Sequence, residues 1–136
     1  MAGCSHIGDI SVEGYQILRA LPKDSRTVEV ALTIKAKNNG PEIAIEQFGG
    51  TLYRKETSLG TFSVKPFRIP RKGVSDVYLE GEIVVDRNVS LLSILAIVQQ
   101  FDVNDFSVDY EAVAALGALK KTLTGTKVPV SKFMSK

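Results

Sequence analysis

A chain of 136 residues has room for one folded domain with a real core. Its 44% hydrophobic and 24% charged content excludes an intrinsically disordered polymer. A formal net charge of +2, 7% aromatic residues and no tryptophan leave no footprint for nucleic acid, and a single cysteine excludes an internal disulfide.

At the start of the chain, Ala2, Gly3 and Cys4 resemble the end of a bacterial lipobox, in which the cysteine becomes the lipidated first residue of the mature protein. The charged and apolar parts of a signal peptide do not precede it, so the sequence is expected to begin close to a processing site. The alternative is an ordinary thiol near a native N-terminus. His6 is the only histidine, so no His-pair metal site can be assembled. A Ser-His-Asp or Cys-His site would have to use that terminal residue, a poor place to hold an oriented base. Residues 1–9 are expected to be a flexible tether, residues 10–133 one domain and residues 134–136 a tail.

Strand signals begin at once. Ile10, Val12 and Ile17 carry the first strand, over residues 10–20, with Gly14 suggesting a kink or bulge. A turn follows over residues 22–25. Val28, Val30, Leu32, Ile34 and Ala36 then alternate with Glu29, Ala31, Thr33, Lys35 and Lys37, which predicts one apolar and one mostly wet face. Asn38, Asn39, Gly40 and Pro41 break the ladder. Ile43 and Ile45 resume it, and Gly49 and Gly50 inside the next strand suggest a bulge or bend. Leu59 and Gly60 are expected to form a tight turn. Phe62 and Val64 make a short strand that Pro66 confines to an edge or an end.

Residues 67–73 read as a basic corner between strands. Arg68, Arg71 and Lys72 could meet anionic headgroups or an acidic partner, or could simply discourage edge-to-edge aggregation. Val77, Leu79, Ile83 and Val85 return to strand. The period then changes, and residues 86–100 read as a helix of about 20 Å, capped by Asp86 or Asn88. Leu91, Leu92, Ile94, Leu95, Ile97, Val98 and Phe101 wrap most of its circumference, so it needs cover on more than one side. It could plug an open end of the fold, or present Leu91 and Leu95 to a bilayer, an acyl chain or a second copy. Asp102, Asn104 and Asp105 lack the glycine and closing glutamate of a calcium loop and read as a turn. Phe106, Val108 and Tyr110 begin another strand.

The alternating strand ending in Asn39 and Pro41, the pair Ile43 and Ile45, Leu52 and Tyr53, then Leu59 and Gly60, resemble the water-stress and hypersensitive-response domain of the late-embryogenesis-abundant group 2 proteins. Ile69 and Pro70, and the run Lys127, Val128, Pro129 and Val130, resemble its later strand markers. The resemblance runs from Ile10 to Phe133, and Gly40 departs from it by interrupting the Asn-Pro pair. It implies an all-β fold: an immunoglobulin or fibronectin-type-III-like antiparallel β-sandwich of about seven strands, with one helix inserted before the last two. It also decides residues 111–124, which could be drawn as a helix weakened by Gly117, in favour of a strand, a connection over 117–121 and a last strand over 124–130.

No P-loop, dinucleotide fingerprint or nucleophile elbow is present, and no enzyme, metal or cofactor is expected. No apolar run reaches the roughly 20 residues of a membrane-spanning helix, so the chain without its lipid is expected to be soluble. The resemblance implies a stress-protective role for what is expected to be a non-catalytic, monomeric binding module, and the lipobox-like start adds a lipid anchor on Cys4 at a bacterial cell envelope, facing the periplasm or the cell surface. Its partner would be membrane lipid or an envelope protein. The alternative is an accessory lipoprotein subunit of an envelope assembly, with a purely structural role.

Overall fold

The computed structural model describes residues 10–134. Eight strands and one helix follow one another: β1 (Ile10–Pro22), β2 (Thr27–Asn38), β3 (Ile43–Arg54), β4 (Thr57–Val64), β5 (Phe67–Ile69), β6 (Gly73–Val85), α1 (Leu91–Gln99), β7 (Phe106–Leu116) and β8 (Leu119–Pro129). Every ladder between these strands is antiparallel, and their order is β1-β2-β6-β4-β3-β7-β8, with β5 set against β3.

The sheet closes over itself because β6 has two neighbours of unequal length. It pairs with β2 from Gly73 to Val84, but with β4 only from Gly81 to Val85. Side chains from both halves then meet. Val28, Ile83 and Val85 share one buried cluster with Leu52, Phe106 and Val108, and Ile94 and Val98 of α1 complete it. A smaller cluster of Ala36, Ile69, Val77 and Leu79 fills the other end. The domain is thus all-β and sandwich-like, with the helix before the last two strands. It has eight strands because Phe67–Ile69, which the sequence pattern assigns to a corner, pairs with Ile43–Ile45 in β3.

The alternation of β2 is realised with one addition. Ala31, on the face expected to be wet, is fully buried. Its rung neighbours Arg19 on β1 and Glu80 on β6 form an ion pair at 3.3 Å, which roofs over the small side chain. Gly14 lies at a register shift in β1, as its position suggests.

Three local expectations are corrected. The helix starts later and is nine residues long, about 14 Å. Ser90 caps it by accepting from the Ser93 amide, whereas Asp86 accepts a hydrogen bond from the Ser58 hydroxyl at 2.6 Å and ties off the strand end. Leu59 and Gly60 are not a turn but the buried middle of β4; the turn before it falls at Lys55 and Glu56. The connection expected over 117–121 shrinks to Gly117 and Ala118, because Gly117 takes φ 59° and permits a two-residue hairpin. Lys120 and Lys121 therefore belong to β8, opposite Ala115 and Ala114.

Gly49 and Gly50 mark a close approach of backbones; the β3 bulge lies elsewhere, between Ile45 and Gln47. A Cβ on Gly50 would stand 1.8 Å from the Asp109 carbonyl oxygen and 2.9 Å from the Tyr110 Cα. Gly50→Ala is therefore expected to cost about 3 kcal/mol of stability, read from urea unfolding midpoints. Gly14→Ala, whose new methyl meets nothing within 4 Å, is the control and should stay within about 1 kcal/mol of wild type.

Candidate functional site

The basic corner is built on one buried amide. Asn38, the last residue of β2, has no exposed surface. Its Nδ2 donates to the Pro41 carbonyl at 2.8 Å and to the Pro70 carbonyl at 3.0 Å, and its Oδ1 accepts from the Gly40 amide at 2.8 Å. The Lys72 amide adds a bond to the Gly40 carbonyl at 3.1 Å. Two prolines contribute acceptors without competing donors, so the turn after β2 and the corner after β5 become a single rigid unit. In sequence, Asn38 looks like one more turn former; its role is visible only once the two loops are side by side.

From that unit the charges project outward. Arg68 pairs with Glu42 at 3.1 Å, and Lys120 with Glu46 at 3.0 Å. Both pairs are exposed and worth little by themselves. Arg71 and Lys72 have no ion-pair partner among the described residues. The register explains why Lys120 is here at all: Arg68, Ala44, Ala115 and Lys120 form one rung across β5, β3, β7 and β8. The two basic side chains stand on the same face, separated by two alanines. This end of the sandwich therefore carries Arg68, Arg71, Lys72, Lys120 and Lys121 against Glu42 and Glu46. Lys35 and Lys37 extend it along β2, with Asp76 as the one nearby acid on β6. The local excess is larger than the +2 of the whole chain.

The helix lies at the opposite end. Lys72 precedes the first residue of β6 and α1 follows its last, so about 40 Å of strand separates them. Leu91 and Leu95 pack partly buried against the core, with Ile94 and Val98 beneath them. Leu92 is the apolar side chain that faces out, at 75% exposure. Leu91 and Leu95 are thus largely committed to the fold, and one flat surface cannot touch both the helix and the basic corner. Among the described residues, no helix is long and apolar enough to cross a membrane. Cys4 and His6 lie outside the described residues.

A second polar group sits on the outer face of β3, β7 and β8. Tyr53 donates its hydroxyl to Asp109 at 2.8 Å, and the Lys127 amide donates to the same carboxylate at 2.7 Å. Lys127 Nζ lies 5.1 Å from the Tyr53 ring centroid and 3.2 Å from Glu56. The tyrosine hydroxyl, then the lysine amide, hold the Asp109 carboxyl below the usual aspartate range, while hydrogen bonding to Asp109 raises the Tyr53 phenol. Asp109 is spent on closing the β7–β8 bulge. Asp102 accepts from the Asn104 amide at 3.0 Å within a short 3-10 turn, and no cluster among the described residues could hold a metal ion. Two surface hollows, of about 310 and 240 Å³, are lined by residues around Phe48 and Gly49 and around Arg54 and Ile97. Neither has a histidine or cysteine in its wall.

No protein-family model matches the sequence, and no curated protein matches it. Among solved structures, the fold is similar to the crystal structure of a protein from Archaeoglobus fulgidus. That comparison gives a TM-score of 0.50 at 12% identity, over 85% of this chain and 91% of the other. At such identity the likeness shows the fold alone.

Asn38→Ala strips two carbonyls and one amide of their buried partner, and is expected to cost about 2–4 kcal/mol in denaturant unfolding. The Asp109 shift has a sign that can be read against pH. A carboxyl held down in the fold stabilises it above the unfolded value of about 3.9, and that contribution disappears as pH falls through the lower folded value. The stability gap between wild type and Asp109→Asn should accordingly be widest near neutrality and close below about pH 4, as followed by urea midpoints along an acid series.

Proposed function

We propose that this chain is a non-catalytic binding or protective module of a bacterial cell envelope, of the late-embryogenesis-abundant group 2 type, whose basic end faces an anionic membrane surface. The observation that carries the reading is the gathering of the basic corner, the β7–β8 hairpin and the start of β1 at one end. Ile10 stands opposite Asn38, which stands opposite Gly73. Cys4 precedes Ile10 by six residues, about 20 Å of extended chain at most. A lipid on that cysteine would hold the basic end toward the bilayer, where each lysine or arginine near anionic headgroups contributes about 1 kcal/mol. Single-chain anchoring is marginal, and a basic patch is the usual second attachment.

A second reading, an accessory subunit of an envelope assembly, draws on a different feature. β8 closes the strand order on one side and can offer its free edge to a strand from a partner.

Vesicle flotation separates the two. The purified chain without lipid should float with vesicles containing anionic phospholipid, float poorly with neutral ones, and detach as salt rises from low to moderate concentration. Arg68→Glu combined with Arg71→Glu and Lys72→Glu should abolish flotation while leaving the thermal midpoint near wild type, since all three side chains are exposed. A wild-type chain that ignores both vesicle types would sink the membrane reading in favour of the β8 edge.

A further inference from the structure

We infer that the β7–β8 hairpin is a membrane-inserting tip, with Leu119 entering the boundary between headgroups and acyl chains while the surrounding cations engage lipid phosphates. The inference rests on the reading that the basic end faces a bilayer, and adds which residue enters it and how the domain is oriented.

Leu119 is 76% exposed, and the hairpin does not require a leucine there. The turn needs Gly117 for its positive φ; the position after Ala118 would accept any polar residue. Leu119 instead ends an apolar row. Ile69 and Ile43 are buried rung partners, and Leu116, half-buried, pairs with Leu119. That last rung lies one step beyond the final β3–β7 rung at Ala44 and Ala115, so the tip overhangs its neighbour. Lys120 and Lys121 follow directly. Lysines on an edge strand discourage aggregation, which accounts for them but not for an exposed leucine beside them.

The occupant follows from the charge. Arg68, Arg71, Lys72, Lys120 and Lys121 share this end with Leu119, two of them paired with Glu42 and Glu46, and the remaining positive excess matches an anionic bilayer, where an apolar side chain is buried and long basic side chains reach up to the headgroups. Leu92 serves as an internal contrast. It is almost equally exposed at 75%, but it sits on the helix beside Ser93 and Ala96, at an end with no cationic excess.

The chain has no tryptophan, so Leu119→Trp and Leu92→Trp each introduce a single reporter. On anionic vesicles, Leu119→Trp should shift its emission to the blue and be quenched by lipids brominated at shallow acyl positions, whereas Leu92→Trp should do neither. Leu119→Glu should keep its thermal midpoint and lose about tenfold or more in vesicle partitioning. A Leu119→Trp protein that floats with unshifted, unquenched emission overturns the inserting tip and leaves the basic-end reading standing. So does a Leu119→Glu protein that floats as well as wild type. A shift that grows with protein concentration without vesicles would assign the tip to a second copy of the chain, and overturn the inference. If wild type does not float at all, the underlying reading fails and the inference with it.

Discussion

The Asn38 carboxamide is cut off from water, so each of its polar atoms has to find a partner inside the protein. It finds three, and all of them are backbone groups of loops. Because Pro41 and Pro70 have fixed φ and no amide hydrogen, their carbonyls can be aimed inward without leaving another donor unpaired. One amide thereby holds the β2–β3 turn against the β5–β6 corner. β5 is only three residues long and could not keep its register on three rungs alone. With its far end held, it stays against β3, and Arg68 stays in the rung that ends at Lys120. The cations thus stand on a backbone that is already ordered, so meeting an anionic surface restricts side chains and leaves the main chain as it was.

The rest of the domain depends on how the sheet returns on itself. Backbones approach too closely for a side chain where β4 crosses to β6: a Cβ on Gly60 would lie 2.3 Å from the Val84 carbonyl, and one on Gly81 2.5 Å from that of Ser63. That crossing turns a seven-strand path into two facing layers. Within one half, aromatics meet across neighbouring strands, with Phe48 of β3 against Phe62 of β4 and Tyr110 of β7, and Tyr110 against Phe133 after β8. After β8, residues 130–134 run across to β1, where Met134 bridges to Val12. On the helix side, Tyr15 donates to the Phe101 carbonyl at 2.8 Å and packs edge-on against that ring. The edge strand β1 is thereby tied twice, at Val12 by the C-terminal segment and at Tyr15 by Phe101 after the helix.

What could be read from the sequence was what is periodic over short range. The alternation from Val28 to Ala36, the break at Asn38 and the switch to helical spacing each depend on neighbours in the chain; the first two appear where expected, and the helix appears with a later start, at Leu91. The misread features depend on strands distant in sequence. Phe67–Ile69 is too short to show alternation and is a strand only because β3 lies beside it. Leu59 and Gly60 look like a turn, yet they lie inside β4, where Gly60 begins the ladder with β6 opposite Val85. Asp86 looks like a helix cap, but Ser58, brought close by the fold, takes its carboxylate. The candidate site divides the same way. Arg68, Arg71 and Lys72 lie close together in the sequence, whereas Lys120 joins them only through three consecutive ladder pairings. The alanine-rich run before it fits a strand or a helix equally well, and hid that connection.

The separation of the two most exposed leucines, Leu92 and Leu119, decides which of them charge could assist. At physiological ionic strength the field of a surface charge decays over about 8 Å, so cations at one end of a strand some 40 Å long exert nothing at the other. Leu92 has only its own apolar area to offer, less than one leucine's worth, and that does not hold a protein on a bilayer. Leu119 offers the same small area at the cationic end, and in the proposed orientation the two contributions would add, because the same displacement would bring both to the lipid. The hairpin register sets Lys120 beside Ala115 and Leu119 beside Leu116, on opposite faces of β8 but at the same end of the sheet, so an end-on approach would present both together.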